Sequence, residues 1–337
     1  MKAFSFFVGV DIGKDSLQVA IMDREGKWLW EENIANGKAG FKVLHQQLNA
    51  LPGFSFQHTI FCMEHTGIYN YPLLGYLTKQ KAHIWLENAL HIKQCSGLQR
   101  GKTDKLDAQR IARFAYKNRD DVKLWQPARP QIQKLKYLMQ MRARLLKVKK
   151  QLTVPMQEAK SFVDKDLQKL EARTFRVSLQ ALEKDLQQLE KQIDIHIQSD
   201  AILHQLFTQV TSVTGIGRVT AATIIADTNE FKDYPHGKKY ACAVGVVPFA
   251  HQSGKSIKGK PRVSHLANKT MKTLLHMAAC SAVSTPGELK AYYERKLAQG
   301  KHKMSVLNAV RNKLVLRIFA VVREQRKYEK IYPHALA

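Results

Sequence analysis

The stretch at residues 6–23, FFVGVDIGKDSLQVAIMD, constrains the fold more than any other part of the chain. Two apolar runs flank a short polar link that contains a glycine, a pattern that predicts a buried strand, a turn and a partner strand. The first run ends abruptly in Asp11. A carboxylate at the end of a buried strand is costly unless a cation or hydrogen bonds offset its charge. Asp11 is therefore either a hydrogen-bonded turn residue or one member of a charged site.

A second predicted buried strand, residues 58–63 (HTIFCM), also runs directly into a carboxylate, Glu64. Helical patterns at residues 41–51 and 71–80 separate it from the first hairpin and from the next short strand, residues 82–86. Strands that alternate with helices predict an α/β layer with a partly parallel sheet. Glu64 is either a strand-end residue that points into solvent or a second member of an acidic site.

Two further carboxylates lie in one predicted helix. The helix begins near Thr103, a residue type that caps helices, and carries Asp104 and Asp107. Residues three apart lie on one face of a helix, so these two carboxylates share a face. The structural alternative is that both aspartates stabilise the first turn by capping it and by interacting with the helix dipole.

The charge balance of the chain indicates a polyanionic partner. The 337 residues, enough for two domains, include 54 Lys and Arg against 28 Asp and Glu, a formal net charge of +26. Such an excess repels itself in a compact fold. It favours nucleic acid as the partner, with an anionic membrane surface as the second candidate.

We expect no membrane-spanning segment and a cytoplasmic location. No apolar run approaches the roughly 20 residues of a membrane span, and the N-terminus lacks the long apolar core of a signal peptide. The four cysteines are scattered without the paired spacing of a zinc site, as in a protein with reduced thiols: Cys62, Cys95, Cys242 and Cys280.

The middle of the chain predicts a helical hairpin. Residues 125–130 contain two prolines and indicate a linker. From residue 132 to about residue 204 the chain lacks glycine, and its leucines recur mostly at three- and four-residue spacing. We expect an antiparallel helical pair or coiled coil, divided at Pro155, that spaces domains or pairs chains.

The last third contains a long segment whose charges have one sign. Residues 234–287 include no Asp or Glu. A solvated surface normally mixes signs, so this segment favours contact with phosphate. Within it, residues 251–255 (HQSGK) predict a polar loop that places Ser253 before a turn glycine and a cation, and an ordinary loop serine is the alternative. The basic residues of the segment are Lys238, Lys239, Lys255, Lys258, Lys260, Arg262, Lys269 and Lys272.

The four carboxylates, Asp11, Glu64, Asp104 and Asp107, could converge from two strand ends and one helix. A set of oxygen ligands without His or Cys suits Mg²⁺ or Mn²⁺. Two such ions can hold the attacking and leaving oxygens of a phosphodiester. Without metal, carboxylates packed this closely repel one another. In a chain this basic, such a site predicts cutting or joining of nucleic acid.

These motifs together resemble the DEDD transposases (recombinases) of the IS110 type and, more loosely, their IS1111-like branch. The matching segments follow the family's order over nearly the whole chain: GVDIGKDSLQVAIMD, MEHTGIYNYPL, KTDKLDAQRIARFA, VTGIGRVTAATIIADTNEF and YACAVGVVPFAHQSGKSIKGK. The resemblance implies an α/β RuvC-like (ribonuclease-H-like) domain at residues 1–125. A helical coiled-coil linker at 126–204 and a mostly α-helical transposase domain at 205–337 would follow.

The resemblance also implies roles for single residues. The DEDD set would fall on the four carboxylates named above, and the motif places a nucleophilic serine at Ser253. It implies a homo-oligomer, a dimer or tetramer, with the acidic site of one protomer near the serine of another. The partners would be DNA, as element ends and target, and a structured guide RNA. Two departures are Gln252, where many relatives have a second serine, and HLAN at residues 265–268, where Lys-x-Gly-Asn is frequent. Ser253 is then the only serine in register, with Ser256 as a weaker rival.

The resulting hypothesis is a metal-dependent DNA recombinase. Ser253 attacks a DNA phosphate to give a phosphoserine link, and metal held by the carboxylates stabilises charge on the phosphate and the leaving oxygen. Lys255, Lys260 and Arg262 bind backbone phosphate nearby. One alternative is a RuvC-like Holliday-junction nuclease that uses water as its nucleophile. The other is a non-catalytic DNA- or RNA-binding protein whose carboxylates are structural.

Overall fold

The computed structural model describes residues 4–95, 97, 104–253, 257–264 and 266–329, with the backbone alone at residues 104, 250–253, 257, 258 and 260. The chain divides into two units, residues 1–127 and 128–337. The first unit is α/β and the second is mostly helical. No helix in the described residues is both long enough and apolar enough to cross a membrane.

A five-stranded mixed sheet forms the centre of the N-terminal unit. Its strands are β1 (Phe6–Ile12), β2 (Ser16–Asp23), β3 (Trp28–Ala35), β4 (Thr59–Glu64) and β5 (His83–Glu87), in the order β3-β2-β1-β4-β5. The first three strands pair antiparallel, whereas β1, β4 and β5 run parallel. This confirms the predicted α/β layer with a partly parallel sheet.

Helices cover both faces of this sheet: α1 (Lys38–Asn49), α2 (Tyr71–Lys79), α3 (Ala89–Cys95) and α4 (Asp104–Lys117). Successive side chains of a strand point to opposite faces. Val8 and Val10 of β1 therefore pack with Leu44 of α1 and Leu77 of α2, whereas Phe7 packs with Ile111 of α4. The two faces of the sheet thus have separate cores.

The C-terminal unit combines a helical hairpin, further helices and one strand pair. The helices are α5 (Pro130–Ala159), α6 (Lys165–Gln198), α7 (Ala201–Thr211), α8 (Arg218–Asp227), α9 (Gly237–Ala243), α10 (Lys269–Ser284), α11 (Glu288–Ala298) and α12 (Lys303–Arg323). The strands are β6 (Pro248–Ser253) and β7 (Ile257–Val263). Ile132 and Leu135 of α5 and Leu189 and Ile193 of α6 share one apolar core with the later helices.

Two local predictions for this unit are wrong. Pro155 does not divide the helical pair, because it lies inside α5, which continues to Ala159. Pro155 is exposed and lies close to the C-terminal end of the helix. Proline has no N–H to donate to the carbonyl one turn earlier, and water can bind that carbonyl instead. The polar loop predicted at residues 251–255 is wrong for 251–253, which belong to β6. The sequence of residues 248–253, PFAHQS, lacks the apolar alternation that identifies a half-buried strand. Lys255 lies outside the described residues.

Arg129 joins three segments of the C-terminal unit. Its guanidinium donates hydrogen bonds to Asp200, the N-cap of α7, at 2.8 Å and to Glu230 at 2.5 Å. Glu230 is the middle one of three consecutive residues with positive φ, between Asn229 at 50° and Phe231 at 64°. Left-handed backbone is strained at residues other than glycine, so this ion pair and its neighbouring hydrogen bonds hold an unfavourable turn in place.

Candidate active site

Asp11 and Glu64 lie at the C-terminal ends of two neighbouring parallel strands, Asp11 one residue before the end of β1 and Glu64 as the last residue of β4. β1 and β4 pair in register up to Val10 opposite Met63, so Asp11 and Glu64 are the next residues on each strand. Neighbouring strands of a sheet are about 4.8 Å apart. The fold therefore brings together two carboxylates that the sequence places in separate apolar runs.

Both carboxylates also share a face of the sheet. Because side chains alternate along a strand, Asp11 lies on the same face as Phe7, and Glu64 lies on the same face as Cys62. Phe7 and Cys62 both belong to the apolar core on the α4 side. Asp11 and Glu64 are each partly buried. The C-terminal ends of β1 and β4, beside α4, therefore carry two of the predicted acidic residues, and we call this part of the sheet the acidic edge.

Helix α4 crosses this face antiparallel to β1. Near the end of the helix, Tyr116 contacts Phe7 edge to face, with ring centroids 5.4 Å apart. Nearer its start, the helix backbone touches Gly9: a Cβ on Gly9 would lie 2.3 Å from the carbonyl oxygen of Ala108 and 2.2 Å from the nitrogen of Ala112. Glycine at this position lets the helix lie directly on the strand.

The first turn of α4 consequently lies towards the Asp11 end of β1. This turn carries Asp104 and Asp107. Asp107 accepts a hydrogen bond from Nη1 of Arg110 at 2.5 Å, and its side chain is 27% exposed. The backbone of Asp104 begins the helix, and its side chain lies outside the described residues.

Glu87 is a third carboxylate on this edge, and the sequence pattern did not single it out. β5 pairs with β4 so that Glu87 lies opposite Glu64. Glu87 accepts hydrogen bonds from Nε1 of Trp85 at 3.2 Å and from the backbone N–H of Asn88 at 2.8 Å. It also lies 3.3 Å from Nδ1 of His91. The available signal was the one that identified Asp11 and Glu64, an apolar run that ends in a carboxylate (HIWLE).

The thiol of Cys62 responds to the charge of this edge. Cys62 is completely buried. Burial raises the pKa of its thiol, and the negative charges of Glu87 and Glu64 raise that pKa further. Two carboxylates are thus close enough to act on the same core residue, and a cation bound at this edge would offset their charge.

The donor set of this edge fits a hard divalent cation. Its members offer carboxylate oxygens, which Mg²⁺ and Mn²⁺ prefer as ligands, and strand register brings Asp11 beside Glu64. Among the described residues, no group of three or more His, Cys, Asp or Glu is in position to hold an ion. Asp107 is bound by Arg110, whose guanidinium offsets its charge.

The predicted C-terminal residues belong to the β6–β7 hairpin and its turn. Ser253 is the last residue of β6, where its backbone pairs with Ile257. Lys260 and Arg262 belong to β7, and the side chain of Arg262 is exposed. The side chains of Ser253 and Lys260 lie outside the described residues, as does Lys255, so their roles stay predictions.

Two protein-family models match the chain. A transposase model of the IS110 DEDD type matches residues 8–159, which include all four predicted acidic residues. A model described as transposase of the IS116/IS110/IS902 family matches residues 208–294, which include Ser253. Together the two matches cover more than two thirds of the chain.

Relatives with known names agree with these matches. The pilin gene-inverting protein of Moraxella bovis is 26% identical over 336 residues, which cover 96% of this chain and 98% of that protein. The insertion element IS110 uncharacterized 43.6 kDa protein of Streptomyces coelicolor is 27% identical over 157 residues, 46% of this chain and 37% of that protein. A probable family 20 transposase of Pseudomonas aeruginosa is 25% identical over 162 residues, 46% of each chain.

Proposed function

Because this chain belongs to the IS110 family of transposases, which are DNA-rearranging enzymes, we propose that it cuts and rejoins DNA strands with a metal-bound acidic site and a serine nucleophile. The register of Asp11 with Glu64, beside the first turn of α4, is the observation that carries this proposal. The strand order with carboxylates at this edge supports a RuvC-like, ribonuclease-H-type fold for the N-terminal unit.

Four carboxylates would hold the divalent cation, Mg²⁺ or Mn²⁺: Asp11, Glu64, Asp104 and Asp107. When bound, the metal would supply positive charge for the phosphate and the leaving oxygen. Arg110 binds Oδ1 of Asp107, so Oδ2 of that carboxylate would be the oxygen offered to the cation. In the metal-free protein, Arg110 offsets part of the negative charge at this edge.

Ser253 is the proposed nucleophile. Its Oγ forms a bond to phosphorus as its hydroxyl proton leaves to solvent, and the bond from phosphorus to the departing deoxyribose oxygen breaks as that oxygen takes a proton. In the phosphoserine link the phosphate is still a diester, now between the serine and one end of the cut strand. A deoxyribose hydroxyl can therefore attack the phosphorus, release the serine and rejoin a strand. The relative named as a gene-inverting protein supports rejoining over cutting alone, because inversion requires new joints.

Basic residues of the C-terminal unit would bind the nucleic acid. Lys260 and Arg262 belong to the strand that pairs with the Ser253 strand, and Lys255 follows Ser253 closely in sequence. The net charge of +26 favours a polyanion throughout. DNA, as element ends and target, is the first partner. We extend the proposal to a structured guide RNA, which presents the same phosphate backbone.

A homo-oligomer, a dimer or tetramer, is part of the proposal. α6 carries an apolar stripe of Leu167, Leu170 and Val177, whose exposed fractions are 58%, 61% and 67%. These residues recur at spacings of three and seven, as in the seam of a coiled coil. A second copy of the chain would cover the stripe and would let Ser253 of one protomer act with the carboxylates of another.

A covalent-trapping assay tests this function. Purified protein, labelled element-end DNA, the element's candidate RNA and Mg²⁺ are mixed, and the products are separated on a denaturing gel beside Ser253→Ala and Ser256→Ala. We expect a protein-linked DNA band that is absent with Ser253→Ala and present with Ser256→Ala. Loss of the band in Ser256→Ala alone would move the nucleophile to Ser256.

The two alternatives give different gels. A water-based Holliday-junction nuclease releases cut DNA without linked protein, and Ser253→Ala leaves that cutting unchanged. A non-catalytic binding protein yields neither product, and Asp11→Asn leaves its DNA binding unchanged. Either pattern would overturn the recombinase function.

A further inference from the structure

Arg311 is a buried cation in the C-terminal unit. It lies in the middle of α12, and only 6% of the residue is exposed. Its Nη2 lies 2.9 Å from Nδ1 of His276 on α10, and its Nη1 makes a long contact of 3.4 Å with Oδ1 of Asn308. Its Nε is buried without a hydrogen-bond partner in the described part of the chain. A buried guanidinium with unused donors is costly.

No carboxylate among the described residues forms an ion pair with Arg311. The nearby sequence cannot supply one, since residues 234–287 and α12 contain no Asp or Glu. Glu288 of α11 is bound to Arg317 at 2.7 Å, and Asp227 at the end of α8 accepts two side-chain hydrogen bonds. Burial accordingly lowers the pKa of Arg311.

Two lysines share one face of α10 with His276, the residue that accepts the hydrogen bond from Arg311. Lys269, Lys272 and His276 recur at spacings of three and four, and so lie on one face. Lys269 is exposed, whereas Lys272 and His276 are half-buried. Burial and the neighbouring charge of Arg311 lower the pKa of His276, so its ring stays neutral and its Nδ1 accepts from Arg311. This face runs from solvent to the buried guanidinium.

The same region holds the base of the β6–β7 hairpin. Asn308, one turn before Arg311, donates from Nδ2 to the carbonyl of Val246 at 2.8 Å. Gly245 has a φ of +67°, and a Cβ there would lie 3.8 Å from Cδ of Lys272. Arg311 and Lys272 therefore lie beside the point where the chain enters the hairpin.

We propose that Arg311, held in place by His276 and with Lys272 beside it, binds a backbone phosphate of the nucleic acid, an inference that rests on the function proposed above. The unused Nε–H and the remaining Nη hydrogens form a planar fork that suits two phosphate oxygens. A phosphate would also neutralise the buried charge, and Lys272 adds a second positive charge towards solvent. A strand held in this way would lie at the base of the hairpin.

Arg311→Gln and Arg317→Gln form a matched pair for a binding test. Both remove an arginine from α12, but Arg317 already has a carboxylate partner, Glu288. Binding of a fluorescein-labelled duplex and of a labelled single strand is measured by anisotropy over a range of KCl concentrations. We expect Arg311→Gln to weaken binding about tenfold and to reduce the slope of log affinity against log salt by about one. Arg317→Gln should retain the wild-type slope.

Thermal unfolding supplies the second measurement. At matched ionic strength, inorganic phosphate should raise the Tm of the wild-type protein above its value in chloride, and Arg311→Gln should lose this response. In chloride, Arg311→Gln should unfold near the wild-type temperature, because removal of a buried charge without an ion-pair partner offsets the lost hydrogen bond to His276, whereas Arg317→Gln should unfold lower. Arg311→Lys keeps the charge without the fork, so it should keep the salt slope and lose affinity.

Four outcomes would overturn the proposal. If Arg311→Gln lowers the Tm and leaves binding unchanged, Arg311 only supports the hairpin. A phosphate response without any effect on oligonucleotide binding would assign the site to free phosphate. If both variants and the wild type have equal salt slopes, Arg311 does not contact a backbone phosphate. The assay needs no strand cleavage, so failure of the serine mechanism leaves its result intact, whereas loss of all DNA binding by the wild-type protein would contradict both proposals.

Discussion

Asp11 and Glu64 are the next residues in register after Val10 and Met63, so two carboxylates lie near the C-terminal ends of adjacent parallel strands on the face that α4 covers. Adjacent carboxylates repel one another unless a cation or a proton intervenes. The geometry therefore predicts that removing one of these charges costs activity without costing stability.

Asp11→Asn should lower DNA strand cleavage by more than about a hundredfold, since even residues outside the direct ligand set cost about 10- to 100-fold. The metal-free variant should be as thermally stable as the wild type, or more so, because one repulsive charge is removed. Cleavage of labelled DNA and thermal unfolding without metal measure the two effects.

Asp23→Asn is the control for this variant. Asp23 accepts the backbone N–H groups of Glu25 and Lys27, both at 2.9 Å, and so acts as a turn residue. Asparagine keeps an Oδ1 that can accept both bonds, so this variant should change stability little and leave cleavage intact. If Asp11→Asn behaves as Asp23→Asn does, Asp11 is the hydrogen-bonded turn residue that the sequence also allowed.

Gly9→Ala should separate α4 from β1. A Cβ on Gly9 would lie within 2.3 Å of two backbone atoms of α4, and backbone cannot move aside as a flexible side chain can. Overpacking of this kind costs about 1–3 kcal/mol of the free energy of unfolding, and at a backbone contact we expect the upper end. Denaturant unfolding followed by tryptophan fluorescence measures it, because all four tryptophans lie in the N-terminal unit.

Gly75→Ala supplies the opposite expectation in the same unit. Gly75 lies in α2, and a Cβ there would meet no atom within 4 Å. Alanine in a helix is about 1 kcal/mol more favourable than glycine, so this variant should be more stable than the wild type. Equal stability of Gly9→Ala and the wild type would show that α4 does not rest on Gly9 as described.

Much of the acidic edge could be predicted from the sequence, because Asp11 and Glu64 each end an apolar run that reads as a strand. Their proximity could not, since the register of parallel strands depends on contacts between distant segments. Glu87 follows a shorter apolar run with the same local pattern, and only the pairing of β5 with β4 places it opposite Glu64. The sequence does not identify Arg311, since a single arginine in an apolar helix is usually a surface residue and only the structure shows that this one is buried.

Glu87→Gln should weaken metal binding without unfolding the protein. Glu87 lies opposite Glu64 and adds negative charge to the acidic edge. Its two carboxylate oxygens accept hydrogen bonds from Trp85 and Asn88, and glutamine, which has one side-chain oxygen, can retain one of the two. We expect Mn²⁺ affinity to fall up to about tenfold, the lower range for residues outside the direct ligand set. Titration with Mn²⁺ followed by electron paramagnetic resonance measures this, with the exposed Glu25→Gln as the control. Unchanged affinity would make Glu87 purely structural.

The Arg129 ion pairs should make the C-terminal unit sensitive to acid. Hydrogen bonds from Arg129 lower the pKa of Asp200, and for Glu230 burial opposes the shift but the bonds from Arg129 and Lys232 outweigh it. A carboxyl group whose pKa is lowered by folding stabilises the folded state above its ordinary pKa. That contribution is lost as the pH falls below about 4.

Arg129→Met tests this dependence. At neutral pH the variant should lose about 3–5 kcal/mol, because two carboxylates are left without their partner. Its stability should then change less with pH than that of the wild type between pH 5 and 3, within the range of ordinary carboxyl pKa values (about 4). Denaturant unfolding followed by far-ultraviolet circular dichroism, which reports chiefly the helical unit, gives both quantities. Parallel pH profiles for the two proteins would contradict the assignment.

Leu170→Glu should weaken self-association through α6. Leu170 is 61% exposed and lies between Leu167 and Val177 in a stripe with coiled-coil spacing. A leucine that becomes buried in an interface contributes about 1.5–3 kcal/mol, so a charge in its place should weaken the dimer at least about tenfold. Light scattering over a range of concentrations measures the association, and circular dichroism checks that the helix is retained. Arg176→Glu places the same residue on another exposed face of α6 and should leave the mass unchanged. If both variants keep the wild-type mass, the stripe is not the contact between copies, and the pairing of Ser253 with carboxylates of another protomer needs a different interface.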